Sequence, residues 1–248
     1  MILLTTDFGT GSPYLAQMRA ALRMHGAEDE IIELISDIAP YNIKAAAHLL
    51  ASQIPYFPTG SIFLCVVDPG VGGDRLPVAI RADGNWFIGP ENGLFDVVVA
   101  RAVETKYFQI QWRPDKLSNT FHGRDLFASI AARISCHKSG AGDLEKRVPP
   151  QTETSGDDLH EVIYLDYYGN AITGIRATSV NTDDLFEING ATVAHARTFS
   201  DLPTGEPFWY ENSVGLVEIT VNKGSAAQQL QIEVGTLLLN SRMVMPIS

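Results

Sequence analysis

The segment from Ser61 to Arg75 constrains this chain more than any other. Ser61-Ile62-Phe63-Leu64-Cys65-Val66-Val67 is an unbroken apolar run that ends abruptly in Asp68, Pro69, glycines at 70, 72 and 73, and Arg75. A short apolar run bounded by turn residues reads as a strand buried on both faces, the environment of a parallel sheet covered by helices. In open α/β sheets the carboxyl ends of such strands are where ligands bind, and glycines there let backbone amides come close. Asp68 and Arg75 are therefore the first candidates for chemistry. Taken alone, the same residues also fit a plain turn, with Asp68 capping amides and Arg75 in solvent.

The pattern recurs along the first half of the chain. Ile2 to Thr6 reads as a strand that stops at Asp7-Phe8-Gly9-Thr10-Gly11-Ser12, and Pro13 to His25 reads as a helix with proline in its first turn. Asp7 thus repeats the position of Asp68. Glu30 to Ser36 is the next predicted strand, and Tyr41 opens an alanine-rich helix at the same sheet edge, within which His48 reads as structural. Pro77 to Arg81 and Asn85 to Ile88 form a predicted hairpin about Asp83-Gly84. Gly89-Pro90-Glu91-Asn92-Gly93-Leu94 leads into a helix reaching about Ala102, and its glycines are expected to bring backbone near a ligand. After a strand from Tyr107 to Trp112, Phe121-His122-Gly123-Arg124-Asp125 opens an amphipathic helix to about Cys136. His122 lies just before that helix, whose dipole favours the neutral imidazole, and Asp125 fits an acid in the first helical turn.

From Lys138 to Asp158 the composition shifts to Gly, Ser, Thr, charge and Pro149-Pro150. We place a connector at residues 146–157 between an N-terminal α/β domain, 1–145, and a C-terminal domain, 158–248. The second part has short alternating segments at Glu161 to Leu165, Thr192 to Arg197, Leu216 to Val221, Leu230 to Glu233 and Leu237 to Leu239, the pattern of a small all-β domain, barrel or sandwich. Two polar clusters interrupt it, Asp166-Tyr167-Tyr168-Gly169-Asn170 and Glu211-Asn212-Ser213-Val214-Gly215, offering amides, hydroxyls and rings of the kind that recognise a purine or an amino acid.

Composition narrows the partners. A net charge of -11, from 18 basic and 29 acidic residues, argues against wrapping nucleic acid or lying on an anionic membrane. Cys65 and Cys136 have no metal-ligand spacing and read as reduced core thiols of a cytoplasmic protein. Met1-Ile2-Leu3-Leu4-Thr5-Thr6-Asp7 lacks a basic leader, so no signal peptide is expected, and no apolar run approaches membrane-spanning length. No Gly-Lys-Ser/Thr follows the glycine-rich loops, which excludes a P-loop.

Taken together, Thr6-Asp7-Phe8-Gly9, Val67-Asp68-Pro69-Gly70-Val71-Gly72 with Arg75, Gly89-Pro90-Glu91-Asn92-Gly93-Leu94, Phe121-His122-Gly123-Arg124-Asp125, Asp166-x-Tyr168-Gly169-Asn170 and Asn212-Ser213-x-Gly215 resemble the S-adenosylmethionine hydroxide adenosyltransferase family, adenosine-forming S-adenosylmethionine hydrolases related to fluorinase and chlorinase enzymes. The resemblance runs from Thr6 to about Ala227. It implies an N-terminal mostly parallel sheet flanked by helices, a smaller C-terminal β-barrel, and a homotrimer with active sites at subunit interfaces. It implies that Asp68, Arg75 and His122 hold the attacking water, with Asp68 or His122 as base. It further implies that Asp7 takes the ribose hydroxyls, Tyr41 closes over the sugar, Tyr168 and Asn170 lie around the adenine, Asp166 and Ser213 grip the methionine end, and the backbone near Val221 contacts adenine. S-Adenosylmethionine is then the substrate, with no cofactor and no metal. Ser12, Ala16 and Gly174 depart from the family pattern, which has an acid, a glycine and an asparagine there.

Three alternatives stand beside this reading. A halogenase would hold a halide where the water sits, but the halide would face the Asp68 carboxylate, and like charges in a dry pocket repel. A metal-dependent nucleoside or phosphoester hydrolase would gather Asp7, Asp68, His122 and Asp125. A non-catalytic nucleoside-binding protein would keep the cleft without turnover.

Overall fold

The computed structural model describes residues 1–137, 140, 142–150 and 156–240. The chain divides into two compact units, one of Met1–Leu50 with Ile54–Gly156, the other of Asp157 onward with Ala51–Gln53.

The first unit begins with β1 (Ile2–Thr6), every residue of it buried, followed by α1 (Pro13–Met24), β2 (Ile31–Ile35), α2 (Ile43–Gln53) and β3 (Ile62–Val66). Then come the hairpin β4 (Pro77–Ala82) and β5 (Asn85–Pro90), α3 (Asp96–Arg101), β6 (Thr105–Ile110), α4 (Ala128–Ser135) and β7 (Leu144–Arg147). They form one seven-stranded sheet in the order β2-β1-β3-β5-β4-β6-β7. The pairings from β2 to β5 are parallel, whereas β5–β4, β4–β6 and β6–β7 are antiparallel. The expected mostly parallel sheet is thus a mixed one, because the Asp83-Gly84 turn reverses β4 and the following strands continue antiparallel from it.

Local chemistry accounts for the main elements. Ser12 caps α1 by accepting from the Tyr14 amide at 3.3 Å, and Pro13 fills the first turn, where no amide donor is needed. Leu15, Met18 and Leu22 share one face of the helix and are buried against the sheet, each contributing about 1.5–3 kcal/mol relative to exposure. The helix expected to start near Phe121 opens instead with a π-helical turn, Gly123–Phe127, before α4. Lys146 and Arg147, expected in the connector, belong to β7 and pair with Phe108 and Tyr107; the rest of that connector lies partly outside the described residues.

The second unit contains β8 (Leu159–Leu165), β9 (Ala171–Arg176), β10 (Phe186–Ile188), β11 (Ala191–Val193), β12 (Pro207–Glu211), β13 (Leu216–Val221), the short helix α5 (Ala226–Gln229) and β14 (Leu239–Asn240). Its described strands make two antiparallel sheets, β12-β13-β9-β8 and β11-β10-β14. Both sheets contribute to one core that includes Ile175, Phe186, Trp209 and Ile219. The strand expected over Leu230 to Glu233 is absent: Ser225 accepts from the Gln228 amide and starts α5, after which the chain turns. The strand expected from Thr192 to Arg197 ends at Val193, and His195 only bridges to Trp209. Among the described residues, no helix is long and apolar enough to cross a membrane.

Candidate active site

Register places the first two acids together. β1 and β3 run parallel with Thr6 opposite Val66, so Asp7 and Asp68 leave neighbouring strands at the same edge. After Asp68 the chain folds back through two tight contacts, Val71 N–H to the Asp68 carbonyl at 3.2 Å and Gly73 N–H to the Gly70 carbonyl at 3.0 Å. Gly72 is required in this turn: its φ is +79°, and a β-carbon there would lie 2.3 Å from the Asn119 carbonyl oxygen.

The turn delivers Arg75 back onto Asp68. Arg75 Nε donates to both carboxylate oxygens at 2.9 and 3.1 Å, and Nη2 donates to Oδ2 as well. Both side chains are buried, 3% exposed for Asp68 and 9% for Arg75, and the guanidinium lies 5.3 Å from the centroid of the Phe127 ring. The same Nη2 is 2.8 Å from His122 Nδ1. A guanidinium only donates, so Nδ1 accepts and the proton of the neutral ring sits on Nε2. Burial lowers the His122 pKa below the ordinary value, and the charge of Arg75 lowers it further, against smaller opposing effects of Asp68 and Asp125. The three predicted catalytic residues are thus one connected cluster, with Arg75 in the middle.

His122 and Asp68 line a cleft of about 440 Å³ with Asp7, Phe8, Tyr14 and Tyr41. Asp7 accepts from the Tyr41 amide at 3.0 Å, and Tyr41 adopts φ 65° with its ring largely exposed. Phe8, Tyr14 and Phe121 meet edge to face with centroids 5.3 to 5.8 Å apart and form an aromatic wall. Sequence reasoning missed this wall; the signal was Phe8 and Tyr14 on either side of Gly9 and Gly11, and Phe121 two residues before Gly123. Asp125 is engaged elsewhere, accepting from Ser118 N–H at 2.9 Å and from Arg124. Among the described residues, no three His, Cys, Asp or Glu side chains converge as a metal site, and both oxygens of Asp68 accept from Arg75.

The second unit brings Asp166, Tyr168, Asn170, Ser213 and Val221 into one cleft of about 980 Å³. Asp166 organises its own loop: Oδ1 accepts from the Tyr168 and Asn170 amides and Oδ2 from the Asn170 side chain. The Asn170 side-chain oxygen, Oδ1, accepts from the Thr220 hydroxyl. Glu218 also lines this cleft, accepting from Tyr210 at 2.6 Å and from Asn212 at 2.9 Å, and burial raises its pKa. Its sequence signal was an acid between Val217 and Ile219 in a strand whose every residue is buried. Of the three departures, Ser12 caps α1 and Ala16 is exposed on that helix. Gly174 faces Leu159, whose Cβ would lie 2.5 Å from any added β-carbon.

An α/β unit carrying an acid, a guanidinium and an imidazole in one cleft, followed by an antiparallel unit with a cleft rich in amides and hydroxyls, defines a two-part enzyme acting on a small molecule. Residues 2–142 match the SAM hydroxide adenosyltransferase N-terminal domain and residues 160–238 the C-terminal domain of the same family. The chain belongs to this family. It is 35% identical to an (R)-S-adenosyl-L-methionine hydrolase of Thermus thermophilus, with 93% of this chain and 95% of the relative covered. A second enzyme of that name, from Salinispora arenicola, is 32% identical with 96% of each chain covered. A solved structure of a conserved protein of Thermotoga maritima superposes with a TM-score of 0.81 at 29% identity, covering 96% of this chain and 98% of that one.

Proposed function

We propose that this protein hydrolyses S-adenosyl-L-methionine to adenosine and L-methionine. The observation that carries the reading is Arg75 bridging Asp68 and His122 at the cleft shared with Asp7 and Tyr41. Carbon 5′ of the substrate bears a sulfonium, so the C–S bond breaks with its electron pair moving to sulfur, and methionine departs as a neutral thioether. No acid is needed for that departure, and no cofactor or metal. The enzyme must supply an aligned nucleophile, and positioning alone can contribute about 7–11 kcal/mol.

Asp68 and His122 divide the work. Because Nδ1 of His122 is occupied by Arg75, its Nε2–H donates to the attacking water and orients it. Asp68 accepts the proton the water loses as the new C–O bond forms, then returns it to solvent. Arg75 holds both groups and favours hydroxide character through its charge. A halide in that place would meet the carboxylate, which supports hydrolysis over halogenation.

The remaining roles follow the family resemblance. Asp7 takes the ribose hydroxyls and Tyr41 covers the sugar. Tyr168, Asn170 and the backbone near Val221 surround adenine, while Asp166 and Ser213 hold the methionine end. The two units correspond to an N-terminal domain, a connector and a C-terminal domain whose two sheets, sharing one core, form a small barrel. The protein works in the cytoplasm as a homotrimer, with each active site completed between subunits.

Incubation with S-adenosyl-L-methionine in heavy-oxygen water should yield adenosine and methionine in equal amounts, the label on the adenosine 5′ hydroxyl. Stoichiometric binding without turnover, or label on any other atom, would overturn the reading. Activity abolished by a chelator would transfer the chemistry to a metal.

A further inference from the structure

We infer that Asn92 is a positioning residue for this reaction, setting the geometry of the Asp68–Arg75 pair through the main chain on which the pair stands. The inference rests on the hydrolase reading above and deepens it.

Val67 lies just beyond the end of β3 and directly precedes Asp68. Its carbonyl accepts from Asn92 Nδ2 at 2.9 Å. The other end of the same amide, Oδ1, accepts from the Leu94 N–H at 3.3 Å. The side chain therefore has one orientation: a flipped amide would set donor against donor and oxygen against oxygen. The neighbouring residue acts on the far side of the pair, where Glu91 N–H donates to the Leu76 carbonyl at 2.8 Å, and Leu76 directly follows Arg75. Two consecutive residues of the β5–α3 loop thus clasp the chain immediately before Asp68 and immediately after Arg75. The Glu91 carboxylate is itself held by the Tyr107 hydroxyl at 2.9 Å, so the clasp is tied to β6.

The consequence is catalytic because the reacting geometry tolerates little. Asp68 must meet both the Arg75 fork and the water, and a carboxylate on a loop stem is aimed only as well as its backbone is held. Misplacement of about 1 Å can cost on the order of a hundredfold in rate without loss of substrate contacts. Asn92 does not line the cleft with Asp68 and His122, so its removal takes no group from that cleft.

Asn92→Asp is the direct test. It keeps the size of the side chain and the acceptor for Leu94, but replaces the donor to Val67 by an oxygen that repels the carbonyl. Asn92→Ser, which is too short to bridge, is the second variant in case the first does not fold. For either folded variant the expected result is a kcat at least tenfold below wild type, a KM for S-adenosyl-L-methionine within threefold, and unchanged adenosine affinity by calorimetry. A kcat within threefold of wild type would overturn the inference, as would a loss of adenosine affinity parallel to the loss of kcat, or failure of both variants to fold. A wild-type protein that does not release adenosine and methionine would instead sink the hydrolase reading.

Discussion

Arg75→Met is the sharpest perturbation of the proposed chemistry, since methionine keeps an apolar stem near Phe127 and removes every donor. The wild-type guanidinium forks onto Asp68 and reaches His122 Nδ1 at 2.8 Å. Hydrogen bonds to charged groups are worth about 1.5–3 kcal/mol each, so losing the hold on two catalytic groups removes about 3–6 kcal/mol of organisation. At 1.36 kcal/mol per decade this is a fall in kcat on the order of 10²–10⁴. Stability falls as well: breaking a buried pair leaves an uncompensated carboxylate at a cost of about 3–5 kcal/mol, and with about 2–4 °C per kcal/mol for a chain of this size, Tm should drop about 6–20 °C. The assay is chromatographic release of adenosine well below the variant's Tm, beside calorimetric binding of adenosine, which the variant should retain. Turnover within tenfold of wild type in a folded variant would refute the central role given to Arg75. Parallel loss of adenosine binding would make Arg75 a substrate contact.

Two further expectations concern protonation. Burial first, and Arg75 second, hold the His122 pKa below its ordinary value, so the folded protein refuses a proton that the unfolded chain accepts near pH 6.5. The stability His122 contributes is therefore present above about pH 6.5 and lost as pH falls below it, and the midpoint of any imidazole step in kcat should fall below pH 6.5. A His122 ring that titrates above pH 6.5 by NMR would contradict this. Glu218 is the opposite case: burial raises its pKa, so its contribution is present below the ordinary glutamate value and lost as pH rises through the folded one. Glu218→Gln can still accept from Asn212 and donate to the Tyr210 oxygen. Its Tm should exceed that of wild type at pH 8 and converge with it near pH 4, whereas a deficit at pH 8 would show that the charged form is needed.

Much of the site was legible because its residues punctuate strong local patterns. Asp7 and Asp68 each end a buried apolar strand, and His122 stands before a helix with glycine, arginine and acid after it. The polar clusters at Asp166 and Ser213 stood out because they break alternating segments, and both line one cleft. Glu218 and Asn92 were harder to read. Glu218 sits inside a strand where alternation alone assigns a residue to one face or the other, and Asn92 had no visible partner until β3 and β5 were adjacent. The mixed sheet escaped for a similar reason: the hairpin at Asp83-Gly84 was plain, but which strand pairs on its far side is a long-range choice.

What the amino-acid sequence determined by itself was the inventory: buried strands ending in acids, glycines where the chain must turn sharply, a histidine at a helix start, a change of composition between Lys138 and Asp158, and a family. These are consequences of local sterics and of the period of apolar residues, which act over a few positions. Only the tertiary structure decided which acid Arg75 pairs with, which nitrogen of His122 is occupied, and what holds the backbone beneath Asp68. Those depend on distances of 3 Å between residues 7 to 47 positions apart, and hydrogen bonds of that kind exist only once the sheet has brought their loops together.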